Sequence, residues 1–249
     1  LKFHGVKMLG VPRTRHGPDT AALETILRAH KPKFLFTNSM YHNPTGTSLS
    51  PSVAHRVLQL AEQHDFHIVE DDIYADFQNG PSTRLATLDS LRRVIYLASF
   101  SKTLSCSLRV GYLIAGPELI RRLADVKMYT SIGSQRFAEC VVSTMLANGS
   151  YRKLVQRLRQ RLTRQMAATL RVLGDNGWEV FAEPVGGMFV WARIGDYPFA
   201  ELQAVATRLD VLLSPGSGFS PEGEESDWLP INIAYASDPR ALAFFEAFG

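Results

Sequence analysis

The residues best suited to chemistry are a lysine flanked by hydroxyl groups and an arginine seven residues later. Ser99, Ser101 and Lys102 follow an apolar, strand-like run at residues 94–98, and Arg109 precedes another such run. A lysine amine can hold an aldehyde cofactor by a Schiff base, and arginine with serine hydroxyls can bind a phosphate group. The pattern predicts a pyridoxal phosphate site, although a lone lysine after a strand is more often a solvated loop residue.

Two upstream segments carry groups that could complete such a site. Asn43-Pro44-Thr45-Gly46 follows an apolar run at residues 34–37, and Asp71-Asp72-Ile73-Tyr74 follows another at residues 66–69. In a parallel α/β sheet the carboxyl ends of the strands lie at one edge, where such folds bind ligands. We therefore expect these two segments to lie near the lysine. The alternative for the first segment is an ordinary turn, because Asn, Pro and Gly favour turns.

The segment ending at Asp72 has a second interpretation, namely a strand that ends in magnesium-binding carboxylates. No glycine-rich phosphate loop with a lysine accompanies it, and the seven histidines show no metal-ligand spacing. We therefore predict no metal site.

Taken together, the motifs resemble those of the fold-type I pyridoxal-phosphate enzymes, class I/II aminotransferases, and above all the aminotransferase-like domain of MocR-type regulators of the GntR family. The resemblance runs from His4 to the final helix. It also includes Arg109-Val110-Gly111-Tyr112, Pro184-Val185-Gly186-Gly187-Met188 and Ile231-Asn232-Ile233-Ala234-Tyr235-Ala236.

The resemblance implies a role for each candidate residue toward pyridoxal 5'-phosphate. Lys102 would form the internal aldimine and then move protons, while Asp71 would keep the pyridine nitrogen protonated. Asn43 and Tyr74 would donate hydrogen bonds to the phenolic oxygen of the cofactor. Asp71 is preferred to Asp72 because of its spacing from Tyr74. The implied phosphate ligands are Ser99, Ser101 and Arg109.

Two departures from the family limit the expected activity. The resemblance implies that the opening segment of the large domain is absent, so that weak cofactor binding is expected. Pro230 stands where many aminotransferases place the arginine that binds the substrate carboxylate, and proline offers neither charge nor donor. Arg193 and Arg240 are the nearby candidates to replace it. Gly186 and Gly187 would line the substrate pocket, or form only a hairpin turn.

Two functions of different classes remain. The preferred one is the effector and dimerisation domain of a GntR/MocR-type transcriptional regulator, and the alternative is a free-standing class I/II aminotransferase that transfers an amino group between an amino acid and a 2-oxo acid. Both imply a small-molecule amino compound as ligand and a homodimer. DNA would be bound only through a winged helix-turn-helix domain upstream of this chain.

Composition agrees with an α/β protein of enzyme-like size. The chain has 249 residues, 45% of them hydrophobic, with a formal net charge of +3 that is too small to indicate nucleic-acid binding by this chain itself. Its two cysteines and the lack of a long apolar span suggest a reducing, cytoplasmic setting without a membrane role.

The order of elements predicts two domains. Residues 1–150 would form part of the cofactor-binding large domain, with a mixed, mostly parallel sheet. Residues 151–249 would form a bridging helix and a smaller α+β domain. The pattern includes a strand at residues 6–11, helices at 19–29 and 151–173, and a strand at 231–235. The basic residues of the long helix are interpreted as a solvated face.

Overall fold

The computed structural model describes residues 2–78, 80 and 82–248. Its strands are β1 (Arg13–Thr14), β2 (Gly17–Pro18), β3 (Phe34–Thr37), β4 (His67–Asp71), β5 (Val94–Ser99), β6 (Gly111–Ile114), β7 (Glu179–Val180), β8 (Phe189–Arg193) and β9 (Leu229–Asn232). Its α-helices are α1 (Thr20–Ala29), α2 (Pro51–Gln63), α3 (Leu85–Asp89), α4 (Pro117–Ser131), α5 (Arg136–Ala147), α6 (Ser150–Asp175), α7 (Phe199–Arg208) and α8 (Pro239–Glu246).

The described residues divide into two compact units. The lysine unit comprises residues 27–40 and 48–160, and the C-terminal unit comprises residues 2–26, 41–47 and 161–248. The domain boundary at residues 150 and 151 stays a prediction.

The lysine unit is built on a mixed sheet in the order β3-β4-β5-β6. Strands β3, β4 and β5 are parallel, and β6 is antiparallel to β5. Parallel neighbours end at the same edge of a sheet, so Thr37, Asp71 and Ser99, the last residues of their strands, share one edge. This is the mixed, mostly parallel sheet that the sequence predicts.

Helix α2 of the lysine unit begins where the sequence places it. The Ser50 hydroxyl accepts a hydrogen bond from the Val53 amide at 3.3 Å. Pro51 occupies the first helical position, where a backbone N–H would have no partner within the helix, so the N–H that proline lacks costs nothing. The buried face of the helix is one stripe at helical spacing, formed by Ala54, Val57, Leu60 and Ala61.

The C-terminal unit has an antiparallel sheet in the order β7-β8-β9. Its core includes Trp178, Val190, Leu202, Ile231 and Phe244, which come from the sheet, from α7 and α8, and from the residues after α6. The unit therefore combines helices with an antiparallel sheet, and residues 2–26 and 41–47 belong to it as well.

Two predicted strands are wrong in position. Residues 6–11 form no strand; the ladder begins instead at β1, whose turn into β2 is closed by the Thr14 hydroxyl donating to the Gly17 carbonyl at 3.0 Å. The strand predicted at 231–235 ends at Asn232, because the Asn232 side chain and carbonyl accept the amides of Ala234 and Tyr235 at 3.1 and 3.2 Å. The strand begins at Leu229, so Pro230 lies inside β9, opposite Trp191.

Within the described part of the chain, the helices are too short or too polar to cross a membrane.

Candidate functional site

Strands β4 and β5 bring several of the predicted residues to one edge of the sheet in the lysine unit. Asp71 ends β4, where it pairs in register with Leu97, and Ser99 ends β5 two residues later. Ser101 and Lys102 follow in the turn that leaves β5, and Tyr74 follows β4. The sequence correctly predicts the strands, but the roles of these residues stay predictions.

Alternation along β4 and the residue that follows it separates three consecutive acidic residues into two groups. Successive side chains of a strand point to opposite faces, so Glu70 and Asp72 share one face and Asp71 takes the other. Glu70 is buried and accepts the amides of Leu85 and Ala86 at 2.9 and 2.7 Å. Its carboxylate thus holds the start of helix α3.

Asp72 is also committed to structure. Its buried Oδ2 accepts hydrogen bonds from Arg84 Nε at 2.5 Å and from the Tyr96 hydroxyl at 2.9 Å. Burial, and then the charge of Asp72, raise the pKa of Tyr96, so this phenol keeps its proton and remains a donor.

Asp71 is the partly buried member of the group with an open carboxylate oxygen; Oδ1 of Asp72 also lacks a hydrogen-bond partner among the described residues, but it is buried. Its Oδ1 accepts the Ile73 amide at 3.2 Å, and its carbonyl accepts the Asn38 amide group at 2.7 Å. Among the described residues no donor lies on Oδ2. Burial raises the pKa of Asp71, the Ile73 amide opposes this, and the charge of Asp72 adds to it. A cation placed against Oδ2 would relieve this cost.

Lys102 lies in a tight helical turn in which the Leu104 amide donates to the Phe100 carbonyl at 2.8 Å. The side chain is exposed, and within the part of the chain that the structure describes its amine makes no hydrogen bond or ion pair. Lys102 is therefore accessible to a carbonyl compound.

The two serines before the lysine form a pair of hydroxyl groups. Ser99 Oγ lies 3.0 Å from Ser101 Oγ and 3.3 Å from the Val110 carbonyl, and it accepts the Ser101 amide at 3.1 Å. Since Ser99 Oγ is the donor toward Ser101 Oγ, the Ser101 proton remains to be donated elsewhere.

Arg109 ends the short 3-10 helix Cys106–Leu108 and has a left-handed backbone, with φ of 52°. Its guanidinium is exposed and makes one long contact, 3.5 Å from Nη1 to the Cys106 carbonyl. The fork of donors is therefore open to an anion.

Tyr74 is buried and precedes the short 3-10 helix Ala75–Phe77, with its ring 6.5 Å from that of Phe77. Asn43 belongs to the C-terminal unit, in the segment of residues 41–47. The remaining predicted site residues all belong to the lysine unit.

The loop that carries Asn43 is held by a network that the sequence does not reveal. The His42 amide donates to the Thr47 carbonyl at 2.8 Å, and the Thr47 hydroxyl accepts Arg13 Nε at 3.0 Å and lies 2.8 Å from the Thr45 hydroxyl. Within this loop the buried Oδ1 of Asn43 has no hydrogen-bond partner among the described residues. One end of the amide is therefore left for a ligand.

His42 is a neutral member of this network. Its Nδ1 lies 2.9 Å from the Thr45 hydroxyl, and burial, with a further effect of the Arg13 charge, lowers the pKa of His42 to about 3. Burial also lowers the pKa of Arg13 to about 10, which leaves it charged at neutral pH.

Gly186 and Gly187 accommodate a tyrosine of the same unit. A Cβ at Gly186 would lie 2.7 Å from the hydroxyl oxygen of Tyr41, and one at Gly187 would lie 2.7 Å from the Tyr41 Cβ. Gly187 also has φ of 89°, which disfavours other residues. Both glycines are therefore required by this contact.

The two arginines that could replace a missing carboxylate-binding arginine are engaged with acids. Arg193 contacts Glu179 at 2.6 Å and lies over the Trp228 ring at 4.9 Å from its centroid. Arg240 contacts Asp210 at 2.6 Å, and Asp238 as well. With Pro230 in β9, these positions offer no uncommitted guanidinium.

No group of three or more His, Cys, Asp or Glu side chains in the described ranges is arranged to hold a metal ion.

The mixed sheet, the lysine turn at its carboxyl edge and the separate α+β unit define an α/β protein of the pyridoxal-phosphate transferase type. A family model, aminotransferase class I and II, matches residues 1–247. The chain belongs to this family.

The chain is also similar to transcriptional regulators. It is 30% identical over 242 residues to the uncharacterized HTH-type transcriptional regulator YisV of Bacillus subtilis, a match that covers 94% of this chain and 49% of YisV. It is 34% identical over 219 residues to the HTH-type transcriptional regulator NorG of Staphylococcus aureus, which covers 84% of this chain and 48% of NorG. The chain thus spans about half the length of these relatives.

Solved aminotransferase structures share the fold. LysN, the α-aminoadipate aminotransferase of Thermus thermophilus complexed with N-(5'-phosphopyridoxyl)-L-leucine, superposes with a TM-score of 0.87 at 28% identity, over 97% of this chain and 65% of LysN. The kynurenine aminotransferase of Pyrococcus horikoshii has the same TM-score at 24% identity, over 96% of this chain and 61% of that one.

Proposed function

We propose that this chain is the pyridoxal-phosphate-binding effector domain of a helix-turn-helix transcriptional regulator. The observation that carries the proposal is the match to YisV and NorG, which extends over 94% and 84% of the chain. In this proposal DNA binding belongs to a domain outside the chain, and the chain reports the presence of a small amino compound.

The residues present fit the cofactor. Lys102 offers an exposed amine without a partner in the described residues, Asp71 has an open carboxylate oxygen on a partly buried group, and Ser101 has a free hydroxyl proton. Bound pyridoxal phosphate supplies an aldehyde that reacts with amines and a ring that withdraws electrons. Asn43 belongs to the C-terminal unit, and its role toward the cofactor stays a prediction from its motif.

Each residue of the lysine unit would then have one task. Lys102 would hold the cofactor through its amine, and as a free amine it would hold or deliver a proton at Nζ. Asp71 holds the proton on the pyridine nitrogen by ion pairing. Ser101 and Arg109 would bind the phosphate through hydroxyl and guanidinium donors, with Ser99 holding the Ser101 hydroxyl in place.

The engaged arginines favour sensing over turnover. Arg193 and Arg240 are paired with carboxylates, and Pro230 has no donor, so an amino acid would lack a two-pronged partner for its carboxylate at these positions. Loss of such a contact lowers the affinity for ordinary amino-acid substrates. An amino compound that binds through its amine alone is the effector we expect.

Amino transfer is the alternative, and the close superposition on LysN favours it. Steady conversion of an amino acid and a 2-oxo acid by the purified protein would support this alternative. Binding of amino compounds without conversion would support the effector domain.

A homodimer is part of the proposal. Large apolar side chains at the end of α4 and the start of α5 are exposed, from half to nine-tenths of their surface: Val126, Met128, Tyr129, Ile132 and Phe137. Such a cluster is typical of an interface. Analytical ultracentrifugation tests this, since Phe137→Glu with Ile132→Glu should shift a dimer to monomer and leave an existing monomer unchanged.

The test of the cofactor site is borohydride reduction with pyridoxal phosphate, followed by peptide mass spectrometry. We expect one reduced adduct, on Lys102, and none in Lys102→Arg. The matched control, Lys153→Arg, changes an exposed lysine on α6 and should label like the unchanged protein. Equal labelling of the two variants would overturn the assignment of Lys102.

The regulator is tested with the full-length encoded protein. We expect it to bind its own promoter DNA, and we expect pyridoxal phosphate and amino compounds to change that affinity in the unchanged protein but not in Lys102→Arg. DNA binding that is indifferent to both ligands would contradict the effector role.

A further inference from the structure

A buried tyrosine of helix α6 holds the two residues that flank Ser101 and Lys102. The Tyr151 ring packs edge-on against Phe100, with ring centroids 5.5 Å apart and planes at 79°. The Tyr151 hydroxyl lies 2.9 Å from the Thr103 hydroxyl, and both side chains are buried. One side chain therefore contacts the lysine turn on each side of Lys102.

The same hydroxyl reaches the segment that follows β4. Tyr151 donates a hydrogen bond to the Asp76 carboxylate, two residues after Tyr74. Arg159, two turns along α6, donates from Nε to the Asp76 carbonyl at 2.6 Å. Helix α6 thus holds Asp76 by both its side chain and its backbone.

The direction of the hydrogen bonds follows from the donors available. A carboxylate only accepts, so the Tyr151 proton goes to Asp76, and Thr103 donates to the Tyr151 oxygen. Burial, and then the bond to Asp76, raise the pKa of Tyr151, so the phenol stays protonated. The chain Thr103 to Tyr151 to Asp76 is therefore ordered, with a charged acceptor at its end.

We propose that Tyr151 is a positioning residue, which fixes the lysine turn relative to the segment of Asp71 and Tyr74 and thereby sets the affinity for pyridoxal phosphate. The inference rests on the proposed function of Lys102 and Asp71. Tyr151 acts on Lys102 and Asp71 indirectly. Its own contacts are with Phe100, Thr103 and Asp76.

The variant that tests it is Tyr151→Phe, which keeps the ring against Phe100 and removes only the hydroxyl. Thr103→Val removes the other hydroxyl at similar volume. Tyr235→Phe, at an exposed position in the C-terminal unit, is the matched control. Val155→Ala, at a buried position on α6, reports what destabilisation of the helix does by itself.

The first measurement is amide hydrogen exchange on the protein without cofactor. We expect Tyr151→Phe and Thr103→Val to exchange about tenfold faster at residues 100–104, and Tyr151→Phe also at residues 75–77, because a hydrogen bond to a charged group is lost. Tyr235→Phe should change neither segment. Unchanged exchange at 100–104 in Tyr151→Phe would overturn the proposal.

The second measurement is titration with pyridoxal phosphate, read by the visible absorption of the lysine-bound cofactor and its dependence on pH. We expect Tyr151→Phe to bind about tenfold more weakly and to shift this pH dependence, and Val155→Ala to do neither at equal stability. Equal effects of Tyr151→Phe and Val155→Ala on the affinity and its pH dependence would show that Tyr151 only stabilises the core, which would overturn the proposal. If the unchanged protein is not labelled at Lys102 while exchange at 100–104 responds, the cofactor function fails and the structural coupling stands.

Discussion

Asp72 and Arg84 form an ion pair of 2.5 Å in which the carboxylate is completely buried, whereas the neighbouring Asp71 is only partly buried and has no ion-pair partner among the described residues. Adjacent acids in one strand therefore serve different purposes. Asp72 stabilises the fold, and Asp71 is available to a ligand.

Asp71→Asn should weaken the binding of pyridoxal phosphate with little loss of stability. The variant removes the charge that would hold the protonated pyridine nitrogen, which should cost at least about tenfold in affinity. Because burial raises the pKa of Asp71, the neutral amide should be tolerated by the fold. Urea unfolding and cofactor titration measure the two effects. A large loss of stability with normal affinity would contradict this assignment.

Asp72→Asn should show the opposite result. Breaking a buried ion pair leaves a poorly compensated guanidinium and a weaker acceptor for Tyr96, at a cost of about 3 kcal/mol. Urea unfolding should reveal the loss, with cofactor affinity nearly unchanged at temperatures where the variant is folded. Arg84→Met tests the pair from the other side and should cost more stability than Asp72→Asn, because it leaves the completely buried Asp72 carboxylate without its cation.

The stability of the fold should decrease with acid because of His42. The folded state holds this imidazole neutral to a pKa of about 3, whereas the unfolded chain takes up a proton near the ordinary value of 6.5. The unfolded state therefore binds more protons in this window, and stability falls as pH is lowered from 6.5, by up to about 1.4 kcal/mol per pH unit. Denaturant unfolding from pH 7 to 4 should show a shallower slope in His42→Asn. The same change at the exposed His55 is the control, and an equal slope in all three proteins would contradict the prediction.

Arg109→Gln should reduce the affinity for pyridoxal phosphate by about tenfold and leave the affinity for pyridoxal unchanged, because it removes a charge-assisted phosphate contact. Borohydride trapping with each compound compares the two affinities. Arg92→Gln, at another exposed arginine, should change neither. A parallel loss for both compounds would place Arg109 away from the phosphate.

Gly186→Ala should destabilise the C-terminal unit by about 1–3 kcal/mol, because the added methyl group would lie 2.7 Å from the Tyr41 hydroxyl oxygen. The clash should disappear once the ring is removed, so Gly186→Ala should cost little more in a Tyr41→Ala background. Thermal unfolding of the four proteins forms a double-mutant cycle. Additive losses would show that the ring is not what excludes a side chain at Gly186.

Local signals of the sequence predict much of the fold. Ser50 and Pro51 mark the start of α2, the apolar run at Phe34–Thr37 forms β3, and the long amphipathic run forms α6. These features depend on hydrogen bonds and burial patterns within a few residues, which a single sequence records. The strand at 231–235 was displaced because the Asn232 side chain competes for backbone amides.

The candidate site is predicted less completely, since its support comes from distant residues. The motifs single out Lys102 and Asp71, but nothing in the sequence indicates that Tyr151 would contact Thr103, 48 residues away, or that Arg13 would reach Thr47, 34 residues away. Such contacts depend on tertiary packing. The commitment of Arg193 to Glu179 likewise appears only when β7 and β8 are paired.

The alternation of side chains along β4 makes the stability of the sheet depend on its register. Glu70 and Asp72 anchor helix α3 and Arg84 from one face of the strand, while Asp71 serves the opposite face. A slip of one residue would bury Asp71 without partners and expose both anchoring acids. A sheet misaligned by one residue would therefore lose the contacts of Glu70 and Asp72 that stabilise it and, in the same step, the placement of Asp71 on the opposite face.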